Sequence, residues 1–157
     1  MVQAVEVFLD SSVLVEYIKD RKVALLDYLL KHQRDLAINS TVISEFLFYF
    51  VGFVGNKSPM TLKRNNSIGS IIEQNNPIAI LEGFTVLPES NDVALVVSLM
   101  KEYNLLPNDA LILATCLRHE IPYLASYDVT DFASACAAEG IVLLSDAEEA
   151  KQHIPSV

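Results

Sequence analysis

Five short apolar segments, rich in β-branched and aromatic residues, alternate with helical segments along this chain, and few folds accommodate that order. Strands joined by helices form βαβ units, which imply a parallel sheet with right-handed crossovers and helices on both faces. The sequence therefore predicts an α/β fold, a three-layer α/β/α sandwich around a parallel, Rossmann-like sheet of about five strands. The predicted strands cover residues 5–9, 36–38, 84–87, 123–126 and 141–144.

The predicted helices follow from apolar residues that recur at intervals of three and four. Asn39, Ser40 or Thr41 is placed to cap the helix after the second strand. Residues 56–80 have weak periodicity, with one amphipathic stretch at residues 62–72, and fit either an extra helix pair or a mobile flap. The other predicted helices cover residues 11–30 (one helix or a pair), 42–53, 91–103 and 108–119.

The length and charge of the chain limit its domain count and its partners. A chain of 157 residues without repeats suits one globular domain, so we expect a single domain over residues 1–157 with its core in residues 5–144. Twenty acidic and eleven basic residues give a net charge of −9, which excludes nucleic-acid binding through bulk positive charge. A partner that bears phosphate needs another source of positive charge.

Several features predict a cytoplasmic protein. The longest apolar run, residues 46–54, is far shorter than the about 20 residues of a membrane-spanning helix. The first nine residues lack the basic start of a signal peptide. Cys116 and Cys136 lack CxxC spacing and are expected to be buried free thiols, with a disulfide between them as the alternative.

Acidic residues lie where the predicted strands end. Asp10 ends the first strand, Asp128 follows the fourth, Glu45 lies early in the helix after the second strand, and Asp109 opens the helix of residues 108–119. Because the carboxyl ends of parallel strands meet at one edge of a sheet, where ligands bind, these four acids are candidates for a single site.

Most of these acids also have a structural explanation. Asp10 is placed to cap a helix, Asp109 to interact with a helix dipole and Asp128 to form an Asx-turn, and each role is the better explanation for that residue alone. Glu45 interrupts an otherwise apolar helix face, and burying a carboxylate without a partner is unfavourable.

Four carboxylates at one site repel one another, so at neutral pH the site should be unstable or partly protonated unless a cation occupies it. Oxygen ligands favour Mg²⁺ or Mn²⁺, whereas Zn²⁺ prefers His and Cys. The histidines, His32, His119 and His153, lack the spacing of metal ligands. We therefore predict Mg²⁺ or Mn²⁺ at this site, and the cation also explains how an acidic protein acts on a polyanion.

The chain resembles the PIN-domain ribonucleases, and within them the VapC-type toxins of toxin–antitoxin pairs. The resemblance runs along residues 5–144 and rests on four short segments whose order is more specific than any one of them. These segments are residues 8–14 (FLDSSVL), 40–46 (STVISEF), 108–114 (NDALILA) and 126–132 (SYDVTDF).

The resemblance implies a PIN-like fold and a set of site residues. Ser12 would support Asp10, and Ser126 would orient Asp128 or a bound water. Asp131 is either a fifth acid at the site or a structural residue of its turn, and we favour the structural role. The implied catalytic residues and ligands of one or two Mg²⁺ or Mn²⁺ ions are Asp10, Glu45, Asp109 and Asp128.

The implied activity is metal-assisted endonucleolytic hydrolysis of single-stranded RNA, which leaves 5′-phosphate and 3′-hydroxyl ends. The implied partners are a second copy in a homodimer and a small antitoxin that occupies the groove beside the metal site. Basic and tyrosine side chains are candidates for positioning RNA, although surface exposure or packing is the simpler explanation of each. These candidates are Lys57, Lys63, Arg64, Arg118, Tyr17, Tyr49 and Tyr127.

Two other functions stay open at this point. A PIN-like domain with weak or no catalysis would serve as a binding or scaffold module. A receiver-type phosphoacceptor or a metal-dependent phosphatase, with Asp10 as nucleophile, is disfavoured. Residues 143–146 contain no lysine, which a receiver requires near its last strand, and Ser12 stands where a haloacid-dehalogenase-type phosphatase has a second Asp.

Overall fold

The computed structural model of the protein describes residues 5–32 and 35–156, and these residues form five strands and ten helices. The elements in chain order are β1 (Val7–Leu9), α1 (Ser11–Ile18), α2 (Ala24–Lys31), β2 (Leu36–Ile38), α3 (Ser40–Gly55), α4 (Pro59–Arg64), α5 (Ile68–Gln74), α6 (Ile78–Leu81), β3 (Thr85–Val86), α7 (Val93–Tyr103), α8 (Pro107–Arg118), β4 (Tyr123–Ala125), α9 (Val129–Glu139), β5 (Val142–Leu144) and α10 (Ala147–His153).

The five strands form one parallel sheet in the order β3-β2-β1-β4-β5. The chain therefore builds the sheet outward from β1 in one direction as far as β3, and then returns to place β4 on the other side of β1. This reversal makes the carboxyl ends of β1 and β4 the switch point of the sheet, where open α/β folds bind ligands. The predicted α/β fold with a parallel sheet is confirmed.

The strands β1 and β2 are covered on both faces, which explains why they are continuously apolar rather than alternating, whereas the edge strand β3 is exposed. All three residues of β1, Val7, Phe8 and Leu9, are completely buried. On the helical layers, α1 packs against α3, while α8 packs against α7 and α9. Right-handed crossovers place these two groups of helices on opposite faces of the sheet.

The segment of residues 56–80 forms three short helices, and both α4 and α5 pack against α3. Of the two predicted alternatives, the structure agrees with the extra helix pair, α4 and α5, and adds the short α6. The amphipathic stretch predicted at residues 62–72 is divided between α4 and α5. Asn66 adopts a left-handed backbone conformation, with φ of 55°, and separates α4 from α5. Asparagine tolerates this conformation better than most residues, so a polar turn replaces the continuous helix.

The remaining helix predictions agree with the structure. Residues 11–30 hold the helix pair, separated by a turn in which Asp20 has a φ of 53°. Asn39 is the cap of α3, and its side chain accepts a hydrogen bond from the Val42 N–H at 3.0 Å. Cys116 and Cys136 are both buried free thiols.

Within the described ranges, every helix is too short or too polar to cross a lipid bilayer.

Replacement of Gly55 tests the packing of α4 and α5 against the end of α3. An added Cβ at Gly55 lies 2.7 Å from both Ile71 Cδ1 and Leu62 Cδ1, and Leu62 is buried. We expect Gly55→Ala to reduce the free energy of unfolding by about 1–2 kcal/mol, because the added methyl group overpacks this contact. Chemical denaturation measures the change.

Gly69→Ala is the matched control, since a Cβ there meets no described atom within 4 Å. Position 69 lies within α5, so alanine should leave stability unchanged or raise it by up to about 1 kcal/mol through its greater helix propensity. Equal effects of the two substitutions would contradict the described packing.

Candidate active site

The four predicted acids converge at the carboxyl edge of the sheet. Asp10 follows β1, and Asp128 follows the neighbouring strand β4. Glu45 lies in the second turn of α3, after β2, and Asp109 lies in the first turn of α8. Asp109 experiences the charges of Asp10, Asp131, Glu45 and Asp128. The fold thus brings together four acids that are widely separated in the sequence.

Asp10 is the buried centre of this group. Its side chain is only 1% exposed, and its Oδ2 accepts hydrogen bonds from the hydroxyls of Ser12 and Ser126, both at 2.7 Å. Among the described residues, neither Asp10 nor Asp128 accepts a side-chain capping bond from the helix that it precedes. The structural explanation of Asp10 as a helix cap is therefore wrong, because its carboxylate is held by serine hydroxyls instead.

The two serines also connect the ends of β1 and β4. Ser126 Oγ accepts a hydrogen bond from the Asp128 N–H at 3.0 Å, and Ser12 Oγ accepts one from the Tyr127 N–H at 3.1 Å. Ser126 is completely buried. Each serine thus donates to Asp10 and accepts from the loop after β4, which fixes the position of Asp128 relative to Asp10.

Glu45 is held by two residues to which sequence reasoning assigned no role. The Ser11 hydroxyl donates to Glu45 Oε1 at 3.2 Å, and the Asn108 side chain forms a second hydrogen bond to the Glu45 carboxylate. The pKa of Glu45 is raised, chiefly by burial and also by the charge of Asp10. The hydrogen bonds to Asn108 and Ser11 lower it and so partly offset this rise. Both residues directly adjoin predicted acids, and that adjacency is the only sequence signal that points to them.

The pKa values of the other two acids are strongly raised. Burial raises the pKa of Asp109 to about 7, with further contributions from the charges of Asp10, Asp131, Glu45 and Asp128. Burial likewise raises the pKa of Asp128 to about 6. The charge of Asp10 and a hydrogen bond between the side chains of Asp10 and Asp128 contribute to this rise. The metal-free site is therefore partly protonated near neutral pH.

Asp131 lies in the first turn of α9, and its side chain is exposed. Its charge raises the pKa values of both Asp109 and Asp128, so it lies within electrostatic reach of the site. Of the two roles considered for Asp131, this placement favours the fifth acid over the purely structural residue.

The acids border an open cleft of about 370 Å³. Across residues 5–32 and 35–156, no three His, Cys, Asp or Glu side chains stand in an arrangement that would hold a metal ion as they are. Their mutual repulsion opposes such an arrangement when no cation is present. The residues that line the cleft are Glu45, Leu106, Pro107, Asn108, Asp109 and Asp128.

The candidates for RNA positioning lie at different distances from this cleft. Arg118 ends α8 nine residues after Asp109, which is about 13 Å along the helix, so it lies at the far side of the sheet. The Tyr17 hydroxyl donates to Asp27 at 3.2 Å. Tyr127, in contrast, directly precedes Asp128 in the loop that forms the site.

The sequence profile of the PIN domain matches residues 7–138 of this chain. Two curated relatives come from Methanocaldococcus jannaschii. Ribonuclease VapC2 is 28% identical over 126 residues, which cover 78% of this chain and 85% of the relative. Ribonuclease VapC6 is 34% identical over 144 residues, which cover 80% of this chain and 90% of the relative.

Solved structures with the same fold include a toxin–antitoxin complex from Klebsiella pneumoniae. The two chains superpose with a TM-score of 0.58 at 24% sequence identity, over 87% of this chain and 96% of the other. At this identity the likeness establishes a common fold.

The raised pKa of Asp109 predicts a pH-dependent stability of the metal-free protein. The folded state keeps a proton on Asp109 up to about pH 7, whereas the unfolded carboxyl releases it near pH 3.8. The folded state thus binds more protons in this window, and its stability falls as the pH rises through it. In EDTA, Asp109→Asn should be more stable than the native chain above pH 7, by about 1–2 kcal/mol after allowance for solvent screening.

Denaturation of both proteins at pH 3 and pH 8 measures this difference, with the exposed Glu73→Gln on α5 as the control. The gain from Asp109→Asn should disappear near pH 3, where the native aspartate is protonated in the folded state and largely so in the unfolded state. An equal gain at both pH values would show that the charge of Asp109 is not its cause.

Proposed function

The chain belongs to the PIN-domain family, and from that membership we propose that it is the ribonuclease toxin of a toxin–antitoxin pair. It hydrolyses single-stranded RNA within the strand and requires Mg²⁺ or Mn²⁺. The observation that supports this most is the convergence of Asp10, Glu45, Asp109 and Asp128 at the switch point of a parallel sheet. The two curated relatives named above are both ribonucleases.

The residues at the site suit a hard divalent cation. Every candidate ligand is a carboxylate oxygen, and hydroxyl and amide groups surround these carboxylates. The raised pKa values of Asp109 and Asp128 mean that the metal-free site resists full ionisation, and a bound cation would offset that repulsion. Side-chain rotation must bring the acids closer, because the present arrangement holds no ready group of three.

In the proposed reaction, water adds to the phosphorus of a phosphodiester, and the bond to the 3′ oxygen breaks. The products are a 5′-phosphate and a 3′-hydroxyl. When bound, the cation supplies positive charge at the phosphate and lowers the pKa of water. Asp10 holds a fixed position, because two serine hydroxyls orient its carboxylate. Asp109 has a pKa of about 7 without metal, so it would release its proton when it binds the cation.

A second candidate function is a binding or scaffold domain with little catalysis. The lack of a ready metal-binding arrangement within the described ranges is the observation that favours it. The two functions differ in their response to Mn²⁺ and in the product that they leave from RNA.

The ribonuclease proposal is tested by incubating mixed single-stranded RNA with the protein in Mn²⁺ and in EDTA. We expect cleavage only with Mn²⁺, and a loss of at least about 100-fold in Asp109→Asn and in Asp10→Asn, because each removes a charged group from the reacting centre. Mn²⁺ at ten times its Kd should also stabilise the protein by about 1.4 kcal/mol.

Glu73→Gln removes an equal charge from the exposed face of α5 and should cleave like the native chain. Full activity of Asp109→Asn would refute the assigned site. A stabilisation by Mn²⁺ without cleavage indicates a narrow substrate range, and the absence of both effects favours the scaffold function.

The partners of the protein follow from the same proposal. One structural neighbour is a toxin–antitoxin complex, and we propose that this chain also binds a small antitoxin. The candidate seat is a cavity of about 450 Å³ beside α3. Its aromatic residues, Phe48, Tyr49 and Phe53, lie three, four and eight positions after Glu45 and so share a helix face with it. Each is about half exposed.

We further propose a homodimer and a cytoplasmic location, as expected for a toxin of this kind. Val93 and Val97 lie one helical turn apart on α7 and are 73% and 56% exposed. Exposed apolar side chains on one helix face are typical of a surface that pairs with another protein.

Phe53→Asp tests the seat of the antitoxin. We expect the variant to keep its ribonuclease activity and to lose neutralisation by the cognate antitoxin, because a charge replaces an apolar contact in the cavity beside α3. Co-expression measures growth rescue, and purified protein measures RNA cleavage. Ile78→Asp, at an exposed position on α6, should remain neutralised, and neutralisation of both variants would place the antitoxin elsewhere.

A further inference from the structure

The segment that follows α1 borders two cavities, since Lys19 lines the aromatic cavity beside α3 and Arg21 and Lys22 line a second one. This second cavity has a volume of about 480 Å³, which falls within the range of small-molecule sites. It opens beyond the ends of β4 and β5 and is closed on one side by the turn between α1 and α2. Its lining residues are Arg21, Lys22, Val23, Ala24, Leu25, Tyr127, Ser145, Asp146 and Ala147.

Tyr127 is the aromatic residue of this cavity, and hydrogen bonds at both ends hold it. Its N–H donates to Ser12 Oγ at 3.1 Å, and its hydroxyl donates to the Lys22 carbonyl at 3.3 Å. The first of these bonds is part of the network around Asp10. The ring is therefore fixed relative to the acids, although it belongs to the neighbouring cavity.

Lys22 places a positive charge on this ring. Its Nζ lies 4.7 Å from the centroid of Tyr127, within the range of a cation–π contact. Lys19, Arg21 and Lys22 are three of only eleven basic residues in the chain, and they fall within four consecutive positions. A chain with a net charge of −9 thus concentrates cations on the turn that borders the site.

Asp20 lies within this turn, and two other acids near it are engaged in other contacts. Glu16 forms an ion pair with Arg21 at 3.1 Å, and Asp146 Oδ1 caps α10 by accepting from the Glu149 N–H at 2.8 Å. Among the described side chains, no ion pair is seen for Lys22. Its only described contact of this kind is with the ring of Tyr127.

We propose that the cavity of Tyr127 and Lys22 binds one nucleotide of single-stranded RNA next to the scissile phosphate. This proposal rests on the proposed ribonuclease function and adds a subsite to it. The base stacks on the ring of Tyr127, and the Lys22 ammonium binds the phosphate of the same nucleotide. Arg21, held by Glu16, remains at the rim.

The order of residues along the chain supports a nucleotide as the ligand. Tyr127 and Asp128 are consecutive, with the first in this cavity and the second in the acidic cleft. A strand whose phosphate reaches the acids therefore passes directly beside the Tyr127 ring. An aromatic ring combined with a nearby cation is the usual means of holding an unpaired base and its backbone.

Lys22 can change its position when RNA enters. Its flexible four-carbon stem allows the ammonium to leave the face of the ring, where the base stacks, and to contact the phosphate instead. In the free protein the cation–π contact thus covers a surface that the base occupies later. The acids need this help, since they repel the polyanion wherever no cation offsets their charge.

Binding of RNA tests the subsite without cleavage. A fluorescein-labelled single-stranded RNA of twelve nucleotides is titrated by anisotropy with Asp109→Asn protein in Mn²⁺, with and without Lys22→Ala, Tyr127→Leu or Tyr127→Phe. We expect Lys22→Ala to weaken binding several-fold for all sequences and to reduce the slope of log K against log salt by about 0.7. Tyr127→Leu should weaken binding by roughly tenfold or more through lost stacking, whereas Tyr127→Phe should retain it.

Arg118→Ala is the charge-matched control at the far end of α8, and it should bind like the parent protein. Unchanged affinity and salt dependence in both Lys22→Ala and Tyr127→Leu would overturn the subsite, as would a loss of antitoxin neutralisation without a loss of RNA binding. Lys22 is exposed, so its variant remains informative if Tyr127→Leu folds poorly. If the native chain neither binds nor cleaves RNA, the proposed function itself fails; if it cleaves while these variants bind normally, only the subsite fails.

Discussion

The carboxylate of Asp10 is almost completely buried, and the arrangement of the site follows from the need to stabilise it there. Its side chain is 1% exposed at the end of the central strand. Burying such a charge is costly unless hydrogen bonds stabilise it, and the hydroxyls of Ser12 and Ser126 form those bonds. Because the same hydroxyls accept from the backbone after β4, the stabilisation of one charge also sets the spacing of two strand ends. The rigid part of the site is therefore the pair β1 and β4.

The other acids differ from Asp10, because the fold holds them nearby without stabilising their charges to the same degree. Burial and mutual repulsion raise the pKa values of Glu45, Asp109 and Asp128. Strongly shifted pKa values in a cleft are characteristic of functional sites, because stability alone would favour neutral residues there. The hydrogen bonds from Ser11 and Asn108 lower the pKa of Glu45 and so partly offset this rise. The fold thus holds together acids that repel one another, and a bound cation would offset that repulsion.

The sequence was sufficient for the fold and for the placement of four acids at one edge of the sheet, because both depend on patterns that extend over many residues. Strands and helices alternate in a way that only a parallel sheet accommodates, and the carboxyl edge then identifies Asp10, Glu45, Asp109 and Asp128. The sequence was insufficient where the local structure depends on one backbone conformation or on the direction of one side chain. Asn66 interrupts a stretch that has helical periodicity, and nothing local distinguishes it from the other asparagines nearby. Similarly, the hydroxyl of Ser11 and the amide of Asn108 reach Glu45 only because α1, α3 and α8 begin at the same edge.

The distribution of charge explains how an acidic protein can accommodate a polyanion without a basic surface. The acids occupy the centre of the site, where one or two divalent cations would offset much of the local negative charge. Two cavities beside the site carry basic residues, with Lys19 and Lys57 at the aromatic cavity beside α3 and Arg21 and Lys22 at the cavity of Tyr127. Few cations imply few phosphate contacts and weak nonspecific retention of RNA. In the proposed function, binding would depend on metal at the centre and on aromatic contacts at the sides. The acidity that excludes bulk nucleic-acid binding would then make the site selective for strands that enter the cleft.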